Sequence, residues 1–92
     1  MIKPTIGRVV WYHNPNSKPE DQPWAAIVCY VYSDTLVNLS VFDENGLGKS
    51  KTSVTLYQGE GDRPELPYAE WMPYQQGQAA KTEQLEKQLQ SK

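Results

Sequence analysis

The side chains able to do catalytic chemistry are few in this 92-residue chain. His13 is its single histidine and Cys29 its single cysteine. A nucleophilic thiol needs a base beside it, but Cys29 alternates with Ile27 and Val31, a pattern in which cysteine acts as a small hydrophobic core residue. One histidine and one cysteine are also too few for a zinc site. The sequence therefore predicts a protein that is not an enzyme and that uses no cofactor or metal.

The acidic pairs and the glycine triplets fall in predicted loops. The acidic pairs are Glu20-Asp21, Asp43-Glu44 and Glu60 with Asp62. General acid–base catalysis would need one of these carboxyl groups in a dry site, whereas loops keep them solvated. The two Gly-x-Gly triplets, at 46–48 and 59–61, lack the third glycine of a dinucleotide motif and the Gly-Lys-Ser/Thr ending of a phosphate loop. Both triplets therefore indicate turns.

Aromatic side chains are more abundant than a small core can hide: three Trp, six Tyr and one Phe. The residues expected in the core are Trp11, Phe42 and one of Trp24 or Trp71. The candidates for an outward face are Tyr12, Tyr30, Tyr32, Tyr57, Tyr68 and Tyr74. Outward tyrosines either pair across strands on a solvated sheet or form a recognition surface for a proline-rich peptide, a nucleic-acid base or a second subunit.

Charge and length exclude several classes of protein. Nine basic residues stand against eleven acidic ones, so the chain lacks the basic excess of duplex-DNA-binding domains. No apolar stretch has the length of a secretory signal or a membrane span. A single cysteine gives no disulfide framework. We therefore expect a cytoplasmic protein that binds neither duplex DNA nor membranes.

Four short stretches have the composition of β-strands, 7–13, 24–33, 35–43 and 51–57, and residues 68–74 form a short fifth strand or a closing turn. The second is almost continuously apolar and predicts a central strand covered on both faces. The third alternates cleanly, with Val37, Leu39 and Val41 on its core face. Asn45-Gly46 predicts a hairpin turn in which both residues adopt positive φ. Pro73 indicates that the last strand lies at an edge.

Five strands within about 75 residues are too few for an immunoglobulin-type sandwich. They predict a mainly β fold, a small five-stranded SH3-like or Tudor-like barrel, over residues 1–76. Residues 77–92 form a polar C-terminal tail that is either helical or disordered. If the tail packs on a partner, its contact face would consist of Gln78, Thr82, Leu85 and Leu89.

Several of these segments together resemble small SH3-like β-barrel proteins encoded by tailed phages and prophages. The segments are Ile6–Tyr12, Trp24–Val28, Val37–Asp43 with Gly46, Thr52–Val54 and Trp71–Pro73. The resemblance covers about residues 6–76, and its motifs describe strands and turns rather than an activity. It implies a protein of the bacterial host cytoplasm that either assists particle assembly or counters host defence by binding its effectors or nucleotide signals.

A chain of this size has no room for a deep cleft, so a ligand needs a surface groove or a pocket shared between subunits. Tyrosine and tryptophan supply stacking surfaces, and lysine and arginine bind phosphate. The leading hypothesis is a homo-oligomeric binding module for a small anionic, nucleotide-derived ligand. Its predicted contacts are Trp11, Tyr12, Tyr30, Lys51, Arg63 and Trp71. The alternative is a structural or assembly accessory protein that binds a phage or host protein through the aromatic face or the tail leucines.

Overall fold

Five strands close into a β-barrel in the computed structural model, which describes residues 1–78 and 81. The strands are β1 (Val9–His13), β2 (Trp24–Ser33), β3 (Leu36–Phe42), β4 (Gly48–Tyr57) and β5 (Tyr68–Glu70). Neighbouring strands are antiparallel except for β4 and β5, which run parallel. The predicted mainly β fold is confirmed, and its closed five-stranded form is consistent with a small SH3-like barrel.

The barrel interior is filled by side chains that alternate along each strand. In β3 the buried residues are Val37, Leu39 and Val41, which confirms the predicted core face. The same cluster includes Val10, Tyr12, Ala26, Val28, Val54, Leu56, Ala69 and Trp71. Burying one large aliphatic or aromatic side chain stabilises a fold by about 1.5–3 kcal/mol, so this cluster provides most of the favourable energy of folding.

The prediction that β2 is covered on both faces is wrong. Ala26 and Val28 point into the barrel, but Ile27, Tyr30 and Tyr32 on the other face are 36%, 52% and 54% exposed. A barrel strand has one interior face, and no second layer covers the outer face of β2 within the described residues. The near-continuous apolar run of β2 therefore leaves a hydrophobic strip at the surface.

Cys29 is exposed, so the prediction that it lies in the core is also wrong. The register between β2 and β3 shifts at this point: Val28 pairs with Leu39, and Tyr30 pairs with the next residue, Asn38. Cys29 is the extra residue of this β-bulge and lies on the outer face with Ile27. Only after the bulge does Val31 pack against the core, so the predicted alternation of Ile27, Cys29 and Val31 on one core face does not hold.

A further bulge lies in β4, across β3 from the one at Cys29. Ser53 has φ 54°, a left-handed conformation that is uncommon for a residue with a side chain. Its backbone N–H donates a 2.8 Å hydrogen bond to Oδ1 of Asn38, whose Nδ2 donates to the hydroxyl of Tyr32 at 3.2 Å. Asn38 thereby satisfies a backbone donor that the interrupted strand ladder leaves without a partner.

The aromatic residues of β1 face the opposite way from the prediction. Tyr12 is 1% exposed and lies in the core, whereas Trp11 is only half-buried. Burial raises the pKa of the Tyr12 phenol. Tyr68 is 6% exposed, so it too is not on the outward face. Of the two tryptophans that were alternatives for the core, Trp71 is fully buried and Trp24 is half-buried.

The predicted hairpin after β3 is present, but its turn differs in detail. Gly46 has φ +81°, while Ser53 is the only non-glycine residue with positive φ in the part of the chain that the structure describes. Asn45 therefore keeps negative φ. Oδ1 of Asp43 accepts hydrogen bonds from the backbone N–H groups of Asn45 and Leu47, and these bonds lower the pKa of Asp43. This Asx-type bonding holds the turn.

Gln58 joins the N-terminal segment to the barrel. Its Oε1 accepts from the backbone N–H of Ile2 at 3.2 Å and from Nε1 of Trp71 at 3.1 Å. Its Nε2 donates to the carbonyl oxygens of Ile2 and Asp34 at 2.8 and 2.7 Å. A single carboxamide thus satisfies polar groups from three separate parts of the chain.

The fifth strand is shorter than predicted because a helix begins at Pro73 and continues through residue 78. Proline suits the first helical position, where no N–H partner is needed. Gln75 Oε1 accepts from the Met72 N–H at 2.9 Å, and Gln75 Nε2 donates to the Val9 carbonyl at 2.9 Å. The helix is therefore capped and tied to β1.

No helix in the described part is long and apolar enough to cross a membrane. Most of the predicted tail, including Thr82, Leu85 and Leu89, lies outside the described residues.

Candidate functional site

A buried carboxylate lies at one end of the barrel. Glu70 in β5 is 8% exposed, and it is the only buried charged residue among those the structure describes. Its Oε1 accepts a hydrogen bond of 2.9 Å from Nε2 of His13, which places the ring proton on Nε2 because an ionised carboxylate can only accept. Its Oε2 accepts from Nη1 of Arg63. Burying a carboxylate costs much free energy unless it is paired, so Glu70 requires these partners.

Arg63 comes from the long loop between β4 and β5, and its side chain is 60% exposed. Nη1 also contacts the hydroxyl of Tyr68 at 3.3 Å, and the guanidinium carbon lies 5.3 Å from the centre of the Tyr57 ring. The hydrogen bonds to Tyr68 and Glu70 raise the pKa of Arg63, which stays charged at any physiological pH. Nε and Nη2 make no hydrogen bond to any described residue. Arg63 is therefore a fixed cation with donors still available.

These groups line a recess of about 510 Å³ between the β1–β2 loop, residues 14–23, and the β4–β5 loop, residues 58–67. We call it the Arg63 recess. Its charged and titratable lining residues are His13, Lys18, Asp21, Arg63, Tyr68 and Glu70. The Lys18 N–H donates to Oδ2 of Asp21 at 2.9 Å, which orders the β1–β2 loop. With Glu70 paired internally, the recess presents cations and one partly engaged carboxylate.

A second recess, of about 440 Å³, is lined by residues of the β1–β2 loop and of the end of β3, and we call it the Trp24 recess. Its lining combines the rings of Trp24 and Phe42 with three carboxylates. These carboxylates belong to Asp21, Asp43 and Glu44. Nζ of Lys49 lies 5.6 Å from the centre of the Trp24 ring. Asp21 lines both recesses, so the two lie next to each other along this loop.

The six residues predicted as ligand contacts are spread over the molecule. Arg63 lines the recess that bears its name. Tyr12 and Trp71 are in the core and leave almost no surface for a ligand. Tyr30 lies on the outer face of β2, where its ring packs edge-on against Tyr32 at 4.9 Å. The other two, Trp11 and Lys51, are half-buried on β1 and β4. The structure therefore does not bring the six together.

His13, Lys18 and Glu70 were not predicted from the sequence to form one site. The sequence predicted only that His13 forms neither a catalytic pair with Cys29 nor a zinc site, and it predicted no role for Glu70. A usable signal was present, because Glu70 is a charged residue between Ala69 and Trp71 in a stretch predicted to be a strand. A carboxylate in such a position needs a cationic partner, which is Arg63.

Within the described residues, no three His, Cys, Asp or Glu side chains are grouped so that they could hold a metal ion. Comparisons with family models, with curated proteins and with solved structures gave no match to this chain. The resemblance to phage and prophage proteins stays a prediction.

Proposed function

We propose that this protein is a non-enzymatic binding module for a small anionic, nucleotide-derived ligand, and that the ligand binds in the Arg63 recess. The observation that carries the proposal is the arrangement of Arg63, which is held by Glu70 and Tyr68 while two of its nitrogens remain without partners among the described residues. In the setting that the phage resemblance implies, such a module would remove a host defence signal.

The physical reason is preorganisation. A free arginine loses side-chain entropy when it binds an anion, but Arg63 is already ordered by its buried carboxylate partner and by the ring of Tyr57. Its planar fork can make two parallel hydrogen bonds to a phosphate or carboxylate. Lys18 lines the same recess, and its ammonium group adds donors. The recess volume of about 510 Å³ lies in the range of small-molecule sites.

Calorimetric titration against a panel of linear and cyclic nucleotides tests this proposal. We expect micromolar or tighter binding of at least one nucleotide, and R63A should weaken it at least about tenfold, the value of one charge-assisted hydrogen bond. R63K keeps the charge but loses the planar fork of donors, so its affinity for the nucleotide should lie between those of the wild type and R63A. R8A removes an exposed arginine of the N-terminal segment, and it is the matched control. If no nucleotide binds, or if R63A binds like the wild type, the proposal is refuted.

A homo-oligomer is part of this proposal, because the exposed strip on β2 offers a surface that a second copy would cover. The strip contains Ile27, Tyr30 and Tyr32 on the outer face of the barrel. Light scattering of the wild type and of a Y30A/Y32A variant tests it. We expect an oligomer that dissociates in the variant, and a wild-type monomer would refute this part.

The second candidate function is a structural or assembly accessory protein that binds a phage or host protein. The same exposed pair, Tyr30 and Tyr32, favours it, because tyrosine is a common anchor of protein interfaces. This function would be favoured over ligand capture if the wild type and R63A both retain a stoichiometric protein partner. The Y30A/Y32A variant should lose that partner.

A further inference from the structure

We infer that the ligand is a mononucleotide that occupies both recesses, with its phosphate at Arg63 and an amino-bearing base in the Trp24 recess. This inference rests on the proposed function and specifies the ligand of that site. The two recesses share Asp21, so a ligand that bridges them passes this residue. Their chemistry differs, since the Arg63 recess supplies cationic donors and the Trp24 recess supplies rings and carboxylates.

The carboxylate of Asp21 defines what the middle of the ligand must offer. Its Oδ2 accepts the Lys18 N–H, while Oδ1 has no partner among residues 1–78. An ionised carboxylate only accepts hydrogen bonds and repels a phosphate. The group that passes Asp21 must therefore be uncharged and must donate hydrogen bonds. The hydroxyl groups of a ribose meet both requirements.

The Trp24 recess defines the other end of the ligand. Half-buried aromatic rings, here Trp24 and Phe42, offer stacking surface to any base. The carboxylates around them offer acceptors, and Glu44 is exposed and makes no hydrogen bond to the described residues. Asp43 is already engaged by the turn that follows β3. Acceptors of this kind favour a base with an exocyclic amine, such as adenine, over uracil, which presents two carbonyl oxygens and a single N–H.

The charges also disfavour a longer polyanion. Asp21 lines both recesses, and Asp43 and Glu44 add two more carboxylates to the Trp24 recess. Like charges at short range oppose binding. We therefore expect adenosine 5′-monophosphate to bind more tightly than inorganic pyrophosphate, although pyrophosphate carries more charge.

The test is calorimetric titration of the full chain with adenosine 5′-monophosphate, uridine 5′-monophosphate, ribose 5-phosphate and pyrophosphate. We expect adenosine 5′-monophosphate to bind about tenfold more tightly than ribose 5-phosphate and pyrophosphate, as stacking of one base provides. It should also bind more tightly than uridine 5′-monophosphate, whose base lacks the exocyclic amine. R63A should weaken every one of these ligands. W24L and E44Q should weaken the adenine nucleotide and leave ribose 5-phosphate unchanged.

The outcomes separate this inference from the proposed function. If adenosine 5′-monophosphate and ribose 5-phosphate bind equally and both depend on Arg63, the base contributes nothing, and this inference fails while the Arg63 site stands. If neither binds, this inference fails, and the proposed function fails with it only if no other nucleotide of the panel binds. Trp24 packs against the core, so W24L can lower stability. In that case E44Q, which alters an exposed residue, decides whether the base is recognised. Wild-type affinity for the adenine nucleotide in E44Q and in a folded W24L overturns the inference.

Discussion

The indole Nε1 of Trp71 donates a 3.1 Å hydrogen bond to Oε1 of Gln58, and both residues follow strands that meet at the closure of the barrel. Trp71 is 1% exposed, so its N–H has no access to water and depends on this one acceptor. The same carboxamide binds Ile2 and Asp34. A single side chain therefore connects the packing of the core to the position of the N-terminal segment.

Replacement of Gln58 by alanine should lower the free energy of unfolding by about 2–3 kcal/mol, because it leaves the buried Trp71 donor unsatisfied and releases Ile2. Urea denaturation measures this change. Gln76→Ala, at an exposed helical position, is the control and should change stability by less than about 0.5 kcal/mol. Equal stability of the two variants would contradict the role assigned to Gln58.

Ser53→Gly should stabilise the protein by about 0.5–1 kcal/mol, because glycine adopts φ 54° without the steric cost that a side chain brings. The backbone N–H at this position can still donate to Asn38. Ser50→Gly, in the regular part of β4, is the matched control and should destabilise by a similar amount. Thermal denaturation of both variants is the measurement, and a loss of stability in Ser53→Gly would show that the bulge does not strain the chain.

Arg63 and Glu70 should be energetically coupled. We expect R63A to destabilise the protein by about 1–2 kcal/mol, since it removes the exposed partner of a buried carboxylate. In the E70Q background the same change should cost much less, because a neutral amide needs no cation. A double-mutant cycle by denaturant unfolding gives the coupling energy. Additive effects of the two substitutions would mean that Arg63 does not neutralise Glu70.

Cys29 should react with 5,5′-dithiobis(2-nitrobenzoate) in the native protein, because its thiol lies on the exposed outer face of β2. We expect the thiol of the native protein to react at a rate within about tenfold of the rate for the protein unfolded in urea. C29S provides the unreactive blank. A thiol that reacts only after unfolding would instead agree with the core position that the alternating pattern predicted.

The barrel was predictable because its signals are local. Strand composition, the Asn45-Gly46 turn and the alternation of Val37, Leu39 and Val41 each depend on neighbouring residues, and all three were found. The errors concern which face of a strand turns toward the barrel interior. The bulge at Cys29 and the orientation of β1, which buries Tyr12 instead of Trp11, are set by pairing between strands and by the shape of the interior.

The candidate site was less predictable than the fold. It combines His13 from β1, Lys18 and Asp21 from the first loop, Arg63 from the last loop and Glu70 from β5. These residues come together only when β1 pairs with β5, a contact that no local pattern reveals. Arg63 was identified by its charge alone. The carboxylate that orders it could be found only from the three-dimensional arrangement.

The three-residue strand β5 pairs with β1 on one side and with β4 on the other, and it joins residues as far apart as His13 and Glu70, 57 positions along the chain. Until that strand leaves the ribosome, a nascent chain that has formed β1 to β4 is an open sheet with two unpaired edges. Such edges recruit other chains. Formation of distant pairs is also the slow part of folding. The interval between synthesis of β4 and synthesis of β5 is therefore when this protein is most exposed to aggregation.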